Sequence, residues 1–306
     1  MIKVSFLFLS LLVSQTCLSA TPELLVKKVA EGNYVHLGVD QLPDKKNHGE
    51  IANIGFIVGT NCVAVIDSGG NPAQGQQLKK AIEKITPTPV CYVINTHVHP
   101  DHIFGNIAFK QPGVKFVGHH KLARAMQMRG PYYIDKANEQ LNLKLTEQDI
   151  IFPDISVHKQ MTLDLGGRKL IVTAHPTAHT DNDVSVYDQK TGTLWLSDLL
   201  FIGHIPVIDG SIKGWIRELE RLKKLKYKTV IPGHGPVVTD WPKSMQPELN
   251  YLKTLLTEIR EKIRQGKYLE DAINTVGLSE KNNWLLFDQF HKKNISSSFS
   301  ELEWED

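Results

Sequence analysis

The stretch Thr96-His97-Val98-His99-Pro100-Asp101-His102 places three imidazoles and one carboxylate within a few consecutive positions. Side chains at i and i+2 of an extended segment fall on one side, so His97 and His99 can address one ion. Pro100 then turns the chain, and Asp101 and His102 aim oxygen and nitrogen at a second ion a few ångströms away, a donor set that zinc accepts. Scattered surface histidines in a chain with 13 of them are a poorer account, since composition alone yields such an ordered string about once in a thousand chains of this length.

Stepwise along the chain, short apolar runs end where chemistry-bearing residues begin. Pro89 to Asn95 reads as a buried strand delivering the histidine loop. Ile54 to Val58 and Cys62 to Asp67 form a hairpin, and Asp67 at its end is expected either to cap a turn or to hydrogen-bond the histidine loop and support it. A helix predicted over Ala73 to Ile85 separates this hairpin from the Pro89 run, which implies parallel pairing of the two strands. Three more donors stand at strand ends: His179, Asp198 in Leu194 to Phe201, and His234 in Val230-Ile231-Pro232-Gly233-His234. Each alone reads equally well as a turn or core residue. Together they supply what a two-ion site beginning at His97 lacks.

The 306 residues are 41% hydrophobic and 22% charged, an ordinary globular composition. Thirty-five basic and 33 acidic residues are well mixed, for a formal charge of +2; this leaves no electrostatic footprint for nucleic acid or an anionic membrane. Lys3, the apolar run Phe6 to Val13 and the small-residue ending Leu18-Ser19-Ala20 have the outline of a secretory signal peptide cleaved after Ala20. That leaves a mature chain with no stable membrane insertion and a periplasmic or secreted destination. Cys62 and Cys91 then remain; both sit in predicted strands and could pair in an oxidising compartment, but the sequence does not give their Cα separation, and two separate buried thiols are the simpler expectation.

Asp67, His97-x-His99-x-Asp101-His102, His179, Asp198 and His234, in this order over residues 30–240, resemble the motifs of the metallo-β-lactamase superfamily. The resemblance implies an α/β (α+β) fold, a four-layer αββα sandwich. It also implies two zinc ions, the first held by His97, His99 and His179, the second by Asp101, His102 and His234, with Asp198 between them. Zinc ranks ahead of iron and manganese, because His99 stands where the di-iron members place an acidic ligand. A metal-held hydroxide is an available nucleophile at neutral pH, with Asp101 orienting it. This points to hydrolysis of a small-molecule ester, thioester, lactone or amide. Asp198 replaces the thiolate of the cysteine-ligand β-lactamases, which counts against a dedicated lactamase. The stretches His179 to Asp183, Leu196 to Pro206, Asp209 to Trp215 and Leu286 to His291 further resemble the quinoprotein relay system zinc metallohydrolases, exported proteins associated with periplasmic quinoprotein dehydrogenases.

The sequence therefore divides into a signal peptide (1–20), a hydrolase domain (21–240) and C-terminal helices on the same domain (241–306). A helix is predicted over Lys121 to Met128, with His119 and His120 as cap or surface residues. Gly130 to Ile155 reads as loop, in which Tyr132 and Tyr133 line a substrate cleft, and His204 either faces that cleft or bonds to backbone. Amphipathic helices are predicted over Ile212 to Leu225 and Glu248 to Arg264, short ones near Leu269 to Val276 and Trp284 to Phe290, and a fraying acidic tail from Ser297. Two alternatives to the exported binuclear zinc hydrolase stand: a non-catalytic, metal-dependent accessory protein for quinone cofactor or quinoprotein maturation, and a weak β-lactamase.

Overall fold

The computed structural model describes residues 23–305, so the expected leader and its cleavage point lie outside the described residues. Alternating apolar runs assemble into two sheets. The first orders seven strands as β1 (Lys27–Ala30), β2 (Asn33–His36), β3 (Ile54–Val58), β4 (Val63–Ile66), β5 (Val90–Ile94), β6 (Lys115–His119) and β7 (Ile155–Val157). Strands β1 to β4 pair antiparallel and β4 to β7 parallel. The change follows from α1 (Pro72–Ile85), which crosses between β4 and β5. Its start is set by Pro72 in the first turn and by Asn71, whose side chain accepts from the Gln74 amide at 2.8 Å.

The second sheet holds β8 (Gln160–Asp164), β9 (Lys169–Ala174), β10 (Val184–Asp188), β11 (Thr193–Phe201) and β12 (Thr229–His234), in the order β12-β11-β10-β9-β8. Only β11 and β12 run parallel, joined across α4 (Ile212–Leu222). The period-2 alternation of each strand separates the layers. Ile57, Ala64, Ile66 and Ile94 of the first sheet meet Leu170, Val172, Val186 and Trp195 of the second in the central core. Phe56, Val63 and Val65 face the other way, onto Leu78 and Ile82 of α1. Leu194 and Leu196 face outward onto Trp215 and Leu219 of α4 and onto α5 (Gln246–Arg264). The result is the helix–sheet–sheet–helix sandwich that the resemblance implies, with α6 (Leu269–Thr275) and α7 (Phe287–Leu302) on the second outer face. Among the described residues no helix is long and apolar enough to cross a membrane.

Three expectations are corrected. The region expected as loop after Gly130 continues a helix: after the short α2 (Pro100–Ile103), α3 runs Leu122–Leu141 straight through Pro131. Proline forfeits one helical hydrogen bond, but Leu122, Ala125, Met126, Ile134, Ala137 and Leu141 keep one apolar face, packed on Val98, Ile103 and Phe104. Asn142 ends the helix in the left-handed conformation, φ 56. Second, the tail expected to fray begins as the last six residues of α7, Ser297 to Leu302. Ser298, Phe299 and Leu302 are buried, and Glu301 accepts from Ser211 Oγ at 2.6 Å and from the Ile212 amide at 2.8 Å, capping the N-terminus of α4 with negative charge.

Third, Cys62 and Cys91 form a disulfide rather than separate thiols. The register that sets Val63 opposite Val90 on parallel neighbours brings their Cα atoms to 5.6 Å, inside the range that a disulfide needs. Alternation within a single strand carries no information about that cross-strand register. With the cysteines 29 positions apart in sequence, loop-entropy arithmetic gives roughly 3–4 kcal/mol of stabilisation. A Cys62→Ala/Cys91→Ala variant is therefore expected to show an unfolding free energy in urea lower by about that amount, and an unchanged value would show that the bond contributes nothing.

Candidate metal centre

The histidine loop leaves the C-terminal edge of β5 and is held from below by one carboxylate. Asp67, buried at the end of β4, accepts from the Thr96 amide at 2.8 Å, Thr96 Oγ1 at 2.7 Å and Ser197 Oγ at 3.2 Å, and lies 2.8 Å from His102 Nδ1. To do so it takes φ 55, a left-handed backbone that side chains other than glycine, asparagine and aspartate seldom adopt. Ser197, at φ 50, bends β11 just before Asp198. Asn95 and Asn106 close a reciprocal amide pair of 2.8 and 3.0 Å beneath the same loop.

The structure brings seven of the sequence-predicted residues together as two adjoining groups: His97, His99, His179 and Asp198, and Asp101, His102 and His234. In the first, His97 Nε2 and His179 Nε2 each lie 3.0 Å from His99 Nδ1. In the second, Asp101 Oδ2 is 3.5 Å from His102 Nε2 and 3.4 Å from His234 Nε2. Asp198 stands between them. Its Oδ2 is 3.7 Å from His97 Nε2, 3.4 Å from His179 Nε2 and 3.5 Å from His234 Nε2, while Oδ1 is 3.2 Å from His102 Nε2. Gly233 is required beside it, since a Cβ there would fall 1.8 Å from Asp198 Oδ1.

The inner atoms fit cations. Among the described residues, His102 Nε2 and Asp198 Oδ1 are buried with no hydrogen-bond partner, a costly state unless something else satisfies them. The outer nitrogens of four of the five imidazoles are engaged: His97 Nδ1 with Thr96 Oγ1 at 3.1 Å, His99 Nε2 with Asp209 Oδ2 at 2.9 Å, His179 Nδ1 with the Val207 carbonyl at 2.7 Å, and His102 Nδ1 with Asp67, while His234 Nδ1 is buried with no hydrogen-bond partner among the described residues. Carbonyl and carboxylate partners draw the ring protons outward, leaving inner lone pairs free to coordinate. Burial pushes His97 well below the usual imidazole range and His179 down to about 3, so both are neutral donors. Burial alone would raise Asp198, but His102 and His234 hold it ionised, well below the usual carboxylate range. Burial also opposes charge on His234, yet Asp198 and Asp101 carry it up to about 9. The carboxylates thus create a potential that calls for positive charge. Bonds of about 2.0–2.2 Å to a tetrahedral ion place ligand atoms roughly 3.3–3.6 Å apart, and the separations of 3.0 to 3.7 Å bracket that range.

Sequence reasoning missed the supports of the first group. Asp209 Oδ2 holds both His99 and the Arg129 guanidinium. Asp183 accepts from the Thr180 amide at 2.9 Å and Thr180 Oγ1 at 2.5 Å, which pins the loop carrying His179. Asp209 followed by a glycine reads as an ordinary turn; nothing local signals a partner 110 positions away. The remaining cleft residues divide. Tyr133 sits beside the site, its ring 6.3 Å from that of His99 and its hydroxyl 3.4 Å from Arg129. Tyr132 is 61% exposed on another face of α3 and is not brought to the centre, because the helix rotates neighbours apart by a quarter turn or more. His204 is buried, Nδ1 2.6 Å from the Ile205 carbonyl, with its ring 5.1 Å from that of His234.

The family model of the metallo-beta-lactamase superfamily matches residues 49–234, which include every one of these donors. The chain belongs to that superfamily. A metallo-beta-lactamase from Pontibacter korlensis superposes with a TM-score of 0.59 at 21% identity, covering 76% of this chain and 99% of that one. A protein named diflavin flavoprotein A 1 from Nostoc sp. is 22% identical over 214 residues, 61% of this chain and 34% of its own length. Beta-lactamase-like protein 2 homolog of Caenorhabditis elegans is 22% identical over 222 residues, 71% of this chain and 66% of its own. The chain thus spans about a third of the first of these relatives and 66% of the second. Members of the superfamily are mostly hydrolases, and the His/Asp cluster of this one is compatible with metal binding.

Proposed function

We propose that this protein is an exported binuclear zinc hydrolase acting on a small ester, thioester, lactone or amide. The observation that carries the reading is the carboxylate of Asp198 set between two groups of three donors. His97, His99 and His179 would hold one ion, Asp101, His102 and His234 the other, and Asp198 both; nitrogen and oxygen donors without sulfur suit zinc. Bound there, two such ions supply Lewis acidity and lower the pKa of water to about 7. Asp101 stays ionised, because His102 and His234 outweigh the effect of its burial, so a carboxylate oxygen can accept a hydrogen bond from the attacking water and orient it. Asp209 and Arg129 keep the His99 ring in place while substrate enters beside Tyr133.

Export is supported by the N-terminal leader pattern and by the Cys62–Cys91 disulfide, a bond that persists in oxidising compartments. The quinoprotein association rests on the resemblance of the stretches between His179 and His291, and it suggests the periplasm and its dehydrogenase pathway as the setting. The test is metal content of the purified mature protein together with turnover of an ester, thioester, lactone and chromogenic cephalosporin panel. Two zincs per chain are expected, with turnover of an acyl substrate abolished by chelation and lowered at least a hundredfold in His99→Ala. Protein that binds no metal would overturn the reading. Two zincs with no turnover on any substrate would favour the accessory role, and preferential cephalosporin turnover would favour the lactamase.

A further inference from the structure

We propose that the cavity beside Asp101 seats a short aliphatic arm of the substrate, about four or five carbons long; the proposal rests on the hydrolase reading above. The cavity measures 140 Å³ and opens between α3 and the segment 43–51. Pro43 and Ile51 form one wall, Ala137 and Leu141 the other, and Pro100 and Tyr133 join it to the metal centre at Asp101. Its occupant is therefore continuous with whatever binds at the donor cluster.

The helix face explains the polarity. Arg129, Tyr133, Ala137 and Leu141 follow one another at i+4, so they line up along one side of α3. At the N-terminal end of this row Arg129 is tied to Asp209 above His99; at the other end only aliphatic atoms remain. Lys136, at the rim, pairs with Glu139 Oε2 at 2.7 Å, and the other polar side chains of the lining are Gln140, exposed on α3, and Asp101 at the metal centre. A sugar or carboxylate arm would lose its hydration there without compensation, whereas each buried methylene is favoured roughly fourfold. At the roughly 30 Å³ that a water-sized group occupies, 140 Å³ accommodates about four or five such groups. The substrate class this defines is a short-chain aliphatic ester, thioester or lactone.

The experiment is a titration of metal-loaded protein with acetate, butyrate, hexanoate and decanoate, followed by amide NMR shifts and requiring no turnover. Affinity is expected to rise about threefold to fourfold per methylene from acetate to hexanoate and then to level off, with the largest shifts at Ile51, Ala137 and Leu141. Filling the cavity from either wall, Ile51→Trp or Ala137→Leu, is expected to reduce the hexanoate-to-acetate ratio to below about three. A flat series in the wild-type protein overturns the proposal, as does a gradient that continues to decanoate or survives both substitutions. Ester hydrolysis with the same acyl groups separates the two readings. An affinity gradient without turnover sinks the hydrolase and leaves the pocket, and turnover without a gradient does the reverse.

Discussion

Asp198→Ala is expected to purify with less than one zinc per chain and to lose turnover on the order of a thousandfold. Its carboxylate lies within 3.7 Å of inner nitrogens from both donor sets, reaching His97 and His179 on one side and His102 and His234 on the other. Without it, Asp101 is the only donor left among the seven that carries negative charge against two divalent ions. The several kcal/mol of charge stabilisation that metal catalysis supplies correspond to that loss of rate. Asp198→Asn keeps the shape but not the charge, and should retain one ion more often than two. Gly233→Ala should reproduce the defect without touching a donor, because the new Cβ displaces Asp198. Metal analysis decides the matter, and an alanine variant that holds two zincs would refute the bridging role.

Asp67→Ala is expected to destabilise the protein by about 3–5 kcal/mol, because it strips partners from a buried cluster in a single step. The Thr96 amide, Thr96 Oγ1, Ser197 Oγ and His102 Nδ1 all converge on this carboxylate. For a chain of this size the loss corresponds to roughly 5–8 °C in melting temperature. Asp67→Asn separates the backbone from the charge. Asparagine tolerates the left-handed conformation at φ 55, so folding should survive while His102 loses its anionic partner. Such support for a ligating histidine is worth roughly 10–100-fold in metal affinity. Thermal unfolding and zinc competition on both variants provide the check. Equal zinc affinity in Asp67→Asn and the wild type would assign Asp67 to turn geometry alone.

The donors and their supports differ in how far they can be read along the chain. His97, His99, Asp101 and His102 are close neighbours, and the backbone of one strand end and one turn largely determines where they point. His179 and His234 are recognisable because each stands at or after the end of an apolar strand run, and strands of one sandwich end at a common edge, whereas Asp198 lies inside β11, just past the left-handed Ser197. Asp209, Arg129 and Asp183 carry no such mark. Asp209 lies in a loop that α7 holds in place: Asn294 accepts from the Ile208 amide at 2.9 Å and donates to the Pro206 carbonyl at 2.7 Å. A polar residue near the end of the chain thus places the partner of a histidine almost two hundred positions earlier.

Pro131 and the acidic tail teach the same lesson from the other direction. Local propensity ends a helix at a proline and frays a charged terminus. Here the apolar face shared with Phe104 and Val98 carries α3 onward, and Glu301 on the N-terminus of α4 gives the tail a partner. Had α3 stopped at Gly130, Tyr133, Ala137 and Leu141 could not line a cavity together. By itself, the sequence determined the strand-and-loop scaffold and the seven candidate donors, since periodicity and spacing encode geometry over a few residues. Only the tertiary structure decided the disulfide partner, the course of α3, the Asp209 and Arg129 support and the cavity beside Asp101, because each depends on register and packing between segments whose separation along the chain carries no distance information.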